Sequence, residues 1–106
     1  MAEFDVQGQW EAIQTNNFVA ELNIRPRRSD GSFPGTGTHT NGTVRGAGFG
    51  SVRDGQFDFR IAWSNGTEGA YIGTFDNQGR LNGATFDVNH PESFAGWQSS
   101  VAFSQR

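Results

Sequence analysis

The residues able to do chemistry in this chain are few. It contains no cysteine and no lysine, which removes disulfides, thiolate metal sites, cysteine nucleophiles and Schiff-base chemistry together. Its two histidines are His39 and His90. Asp87, His90 and Ser93 fall close together, but a serine, histidine and aspartate act as a triad only when tertiary geometry assembles them. Asp87 and His90 alone would make half of a metal or general-base site. The cheaper reading is that Asp87 accepts backbone N–H groups in the Asn89-His90-Pro91 turn. Asp58 with Glu68, or Asp87 with Glu92, has the composition of a glycosidase pair, yet nothing in the sequence sets the carboxyl separation that such chemistry requires. Gly46-Ala47-Gly48-Phe49-Gly50 leads toward a turn rather than into a helix, so it is no phosphate loop. Neither a metal nor a cofactor is expected.

The charge pattern narrows the partners. All eight cations are arginine (Arg25, Arg27, Arg28, Arg45, Arg53, Arg60, Arg80 and Arg106), and eleven acids bring the net charge to -3. Arg25, Arg27 and Arg28 cluster, and they read as a solvated loop that blunts the end of a strand. Nucleic acid is not an expected partner. No apolar run reaches the roughly 18 residues of a membrane-spanning helix, and no membrane association is expected. The chain opens without the basic and apolar regions of a leader, although a removed leader would leave no trace. The compartment therefore stays open, with an extracellular one favoured. At 106 residues, with 34% of them hydrophobic, one domain spanning 1–106 is expected.

The elements that must position these residues are strands. Fifteen glycines against three prolines, with Asp-Gly and Asn-Gly pairs between short apolar runs, punctuate hairpins. The expected strands are Gly8 to Ile13, Phe18 to Ile24, Phe33 to His39, Thr43 to Arg53, Gln56 to Trp63, Ala70 to Phe75, Leu81 to Val88 and Ala95 to Phe103. Phe57, Phe59, Ile61 and Trp63 alternate strictly with polar or small residues, which requires one buried face. Gly46, Gly48 and Gly50 inside the fourth strand point to bending or close backbone approach. Asn41-Gly42-Thr43 and Asn65-Gly66-Thr67 match glycosylation sequons but read as turns, while Asn89 to Ser93 reads as a longer connection. Eight strands joined by short links form a meander of antiparallel neighbours. Closing it into an all-β, eight-stranded antiparallel up-and-down barrel removes both exposed edges.

Short motifs along the chain resemble the avidin and streptavidin family, within the calycin group of barrels. Gly8-Gln9-Trp10 is similar to that family's opening strand, Phe59 to Asn65 to its fifth strand with its terminal tryptophan and polar turn, and Trp97-Gln98-Ser99-Ser100 to its last strand. The resemblance implies an avidin-like barrel and admits a homo-oligomer. Of the family's biotin-site positions it matches Trp63 to a ring-stacking tryptophan and sets Thr15 or Asn16 near the loop that contacts the ureido group. Ala12, Gly69, Tyr71, Thr85 and Gln105 stand where that family carries other contact residues, so the resemblance implies architecture and not tight biotin binding. Bacterial metalloprotease inhibitors share the barrel, but their disulfide and inserting N-terminus have no counterpart in this chain.

An eight-stranded barrel is either filled by its own side chains or opens just enough for one small ligand. Phe18, Leu22, Ile24, Phe57, Phe59, Ile61, Trp63, Phe75, Leu81, Val101 and Phe103 are the candidate filling. Trp63, Tyr71 and Trp97 read as lying beside turns or strand ends with polar neighbours, a composition suited to a small polar molecule or a sugar ring. The expected function is non-enzymatic binding of a small molecule at the open end of the lumen, with Trp63, Tyr71 and Trp97 as walls and Asn65, Thr67 and Asp87 as polar contacts. The alternative is a lectin using the same aromatics and amides on its outer surface. A barrel cyclase or a protease-inhibitor-like protein is the third reading.

Overall fold

The computed structural model describes residues 4–104; Gln105, singled out above, lies outside them. The strands are β1 (Gly8–Gln14), β2 (Val19–Ile24), β3 (Ser32–His39), β4 (Val44–Arg53), β5 (Gln56–Trp63), β6 (Glu68–Phe75), β7 (Arg80–Asp87) and β8 (His90–Ala102), with no helix among the described residues. Each strand pairs antiparallel with its sequence neighbours, and β1 pairs with β8 to close an eight-stranded meander barrel. The closing seam is short, running from Ala12 opposite Ser99 to Gln14 opposite Trp97. Turn chemistry sets the hairpins. Asp54 and Gly55 both take positive φ between β4 and β5, the geometry whose twist matches that of the flanking strands.

Alternation then sorts the side chains. Trp10 and Ala12, Leu22 and Ile24, Phe57, Phe59 and Ile61, Tyr71, Leu81 and Trp97 are all buried inside the barrel. The large side chains of β5 have room because the strands beside and beyond it are small where they face them. A Cβ at Gly35 would come within 2.9 Å of the Phe59 ring, and one at Gly37 within 2.8 Å of Ile61. Between them, a Cβ at Gly48 would run into the Arg60 carbonyl of β5. The interior glycines of β3 and β4 are thus the complement of the aromatic face of β5, small against large as close packing requires.

One end of the barrel is plugged. Phe57 sits among Trp10, Phe33, Phe59 and Trp97, with ring centroids 5.8 to 6.3 Å away. The N-terminal segment closes over this end: Phe4 stacks on Phe75 at 4.1 Å, and the Trp10 indole N–H donates to the Val6 carbonyl at 2.9 Å. Phe103 packs edge-on against Trp10 at 5.0 Å.

Four expectations are corrected. Asn89 to Ser93 is not a long connection: β8 begins at His90, directly opposite Asp87, and the next pair is Phe86 with Phe94. Residues 91–93 bulge out between those pairs, a place that suits Pro91 because it has no N–H for the ladder. Val101 does not fill the core and is 42% exposed. From Asn82–Gln98 to Arg80–Ala102, β7 advances two residues and β8 four, and this irregularity takes Val101 out of phase. Ser99 bridges the break, accepting from the Leu81 N–H at 2.9 Å and donating to the Val101 carbonyl at 2.7 Å. Phe18 precedes β2 and is 49% exposed, because the chain is still turning there. Trp97 is not near a strand end but deep within β8.

Candidate functional site

The turns at residues 15–18, 40–43, 64–67 and 88–89 ring the opposite end, and inside them the barrel is not filled. An open cavity of about 310 Å³ remains, lined by Gln14, Phe18, His39, Trp63, Tyr71 and Thr85 among others. That is the lower end of the size range for small-molecule sites.

Its floor is a polar chain strung across the barrel. Gln14, the last residue of β1, continues the inward phase of Trp10 and Ala12, and its Nε2 donates to the Tyr71 Oη on β6 at 2.8 Å. Thr85 lies directly opposite Tyr71 on β7 and is its second hydrogen-bond partner. Burial pushes the Tyr71 phenol up to about 12, against the opposing pull of the Thr85 and Gln14 hydrogen bonds, so it stays neutral at ordinary pH. Beneath it lies Trp97, edge-on to the Tyr71 ring at 5.7 Å and donating its indole N–H to the Ala84 carbonyl at 3.0 Å.

The walls are aromatic. Trp63 ends β5 with only 8% of its surface exposed. Its indole reaches over β6 because Gly69 has no side chain, and a Cβ there would lie 2.9 Å from Nε1. His39 stands between two rings, edge-on to Trp63 at 4.6 Å and to Phe18 at 5.7 Å. Its Nδ1 is 2.8 Å from the Thr40 hydroxyl, and burial lowers its pKa, which favours the neutral imidazole. At the rim, Asp87 ends β7 opposite Gly69, in the inward phase of Leu81 and Thr85, with Oδ1 accepting the Asn89 N–H at 2.9 Å. Asn65 Oδ1 accepts from the Thr67 N–H at 3.1 Å and from its hydroxyl at 2.7 Å, so these two residues shape the turn they belong to.

Of the residues singled out from the sequence, Trp63, Asn65, Thr67, Tyr71 and Asp87 line this cavity. Trp97 does not: at 3% exposure it lies one layer below. Sequence reasoning missed Gln14, His39 and Thr85 as a group. Each is a polar residue on the inward phase of its strand near the same end of the barrel, and that shared position is the signal that could have found them. Ser93 also lines the cavity, but His90 is turned outward, 3.6 Å from the equally exposed Glu92, so no triad forms. Asp58 lies along the outer wall, and Glu68, on the outward phase of β6, borders both that wall and the mouth. No group of three or more metal-ligating side chains occurs among the described residues.

A broader hollow of about 790 Å³ crosses that outer wall over β3, β4 and β5. It is a dish rather than a cup. Arg25, Arg53 and Arg60 share it with Asp58 and Glu68, and the Arg28 guanidinium lies 5.0 Å above the Phe49 ring.

No family model and no curated protein matches this chain. Among solved structures it is similar to a redesigned β-barrel, mFAP1, bound to DFHBI, with a TM-score of 0.62 and 14% identity over 95% of this chain and 94% of that one. At that identity the likeness concerns the fold.

Proposed function

We propose that this protein is a non-enzymatic barrel that binds one small molecule at its open end. The observation that carries the reading is the change of residue type within one inward phase. The same alternation that delivers Trp10, Phe57 and Leu81 to the core delivers Gln14, Tyr71, Thr85 and Asp87 to a solvent-open cavity. A site of this kind needs apolar walls and a small number of placed polar groups, and here the polar groups already hold one another in position. Trp63 and Tyr71 are the walls, Asn65, Thr67 and Asp87 the rim, and Trp97 supports the floor. The similar redesigned barrel was solved bound to DFHBI, which is consistent with a small ligand in a barrel of this shape. The avidin resemblance adds only the architecture, because Ala12, Gly69, Tyr71 and Thr85 remain unlike that family's contact positions. A lectin would need Trp63 and Trp97 on the outer surface, and both are turned inward.

The test uses 1-naphthylmethanol, a neutral two-ring probe, followed by calorimetry and by backbone amide shifts. Binding should perturb Gly69 and Thr85, and Trp63→Phe should weaken it by about 1 kcal/mol, the scale of a lost aromatic contact, with the fold retained. Shifts confined to the outer wall around Phe49, or no shifts at saturating probe, would overturn the proposal.

A further inference from the structure

Resting on that reading, we propose that the mouth selects a small organic cation, a protonated amine borne on or beside an aromatic ring, with Asp87 as its counter-charge. The charge that reaches the cavity is of one sign. Among the described residues, the formally charged ones that line it are Asp87 and Glu68, both carboxylates, and no arginine does. Glu68 pairs with Ala62 on the outward phase, so Asp87 is the inward-facing charge. No arginine or histidine pairs with Asp87 among the described residues. Arg45, beside the turn at residues 40–43, turns its Nε back to the Gly42 carbonyl at 3.1 Å. Arg25, Arg27, Arg28, Arg53 and Arg80 all sit around the turns of the plugged end. His39 adds no positive charge, because its partial burial favours the neutral ring.

The walls reinforce this sign. Phe18, Trp63 and Tyr71 line the space, and the negative face of an aromatic ring attracts a cation, most strongly for tryptophan. Several hydrogen-bond donors near the site are already engaged within the protein. The Gln14 amide donates to Tyr71, the Trp97 indole to Ala84, the Asn89 N–H to Asp87 and the Thr67 hydroxyl to Asn65. The inward-facing Asp87 carboxylate and the aromatic walls are groups that an ammonium satisfies and an anion does not. An anionic ligand would also be held beside the Asp87 carboxylate with no cation to offset it.

A ring-matched series separates charge from shape: 1-naphthylmethylammonium, 1-naphthylmethanol and 1-naphthoate, titrated by calorimetry at neutral pH and low salt. The ammonium should bind about tenfold more tightly than the alcohol and the carboxylate most weakly. The preference should shrink as salt is raised. Asp87→Asn, which retains an oxygen for the Asn89 N–H, should bring the ratio of ammonium to alcohol affinity to within about twofold of unity. A native protein that binds the alcohol or the carboxylate as tightly as the ammonium overturns the cation reading, and so does a folded Asp87→Asn protein that keeps the full preference. If the alcohol binds at the mouth and the ammonium gains nothing, the small-molecule site stands and only the cation falls. If none of the three binds there, both fall.

Discussion

Phe57 and Tyr71 lie inside the same barrel, and their surroundings show how one architecture makes two different ends. Phe57 packs against the rings of Trp10, Phe33, Phe59 and Trp97, and the N-terminal segment closes over this end through Phe4 and Val6. Around Tyr71 the neighbours include an amide, a hydroxyl and open space. The strands, their tilt and their alternation are common to both, so the difference lies in which residue types occupy the inward phase near each end. Apolar groups there lose water and become core. Polar groups there must find partners before they can be buried, and Gln14, Tyr71 and Thr85 do so across three strands. The plugged end can carry the stability while the mouth stays unfilled.

The sharpest way to break this contrast is to truncate one ring at each end. Phe57→Ala should cost about 3 to 5 kcal/mol, since it removes a fully buried ring from a packed cluster. Phe18→Ala, at the half-exposed rim, should cost about 0.5 kcal/mol. Urea unfolding of both variants measures the difference, and equal losses would mean that the mouth is as much a part of the core as the plug.

A smaller effect comes from alkali. The unfolded chain releases a tyrosine proton near pH 10, whereas buried Tyr71 holds its own to about 12. The stability that Tyr71 contributes is therefore fully present below pH 10 and falls between pH 10 and 12, by about 1.4 kcal/mol per pH unit. Tyr71 is the only tyrosine and there is no lysine, so absorbance of the phenolate reports this group alone. Tyr71→Phe should abolish the slope, and a tyrosine titrating near its ordinary value would contradict the closed Gln14–Tyr71–Thr85 floor.

The smallest effect is at acid pH. Burial between Phe18 and Trp63 lowers the His39 pKa below the usual 6.5. The unfolded chain then takes up its proton first, so the stability that His39 contributes is present above that value and lost as the pH falls through the histidine range. Nuclear magnetic resonance titration should find the His39 midpoint below 6.5, and His39→Asn should flatten this part of the acid limb. A midpoint at or above 6.5 would mean that the mouth is wetter than its ring contacts imply.

Much of the barrel is legible in the sequence. The phase of Phe57, Phe59, Ile61 and Trp63, the turns at Asp54-Gly55 and Asn65-Gly66 and the shortness of every link were enough to read a meander of eight antiparallel strands. The failures fall where β8 departs from regular pairing or where a turn ends. At residues 91–93 a bulge imitates a loop, and beyond Gln98 another irregularity carries Val101 outward, so counting by twos assigns the wrong side. Phe18 stands at the last step of a turn, before any strand period applies. Trp97 looked peripheral because the start of its strand was read five residues too late.

The sequence by itself determined the alternation, the turns and the absence of thiol and amine chemistry, because these depend on residue type and on contacts a few positions apart. Which end is plugged, and that Gln14 reaches Tyr71, were decided only in the tertiary structure. Those partners are 57 residues apart and meet because β1 closes on β8 and brings the ends of β1, β6 and β7 around one opening. No local pattern encodes that meeting, since it follows from the closure of the whole sheet and from bulges that alter the phase of individual strands.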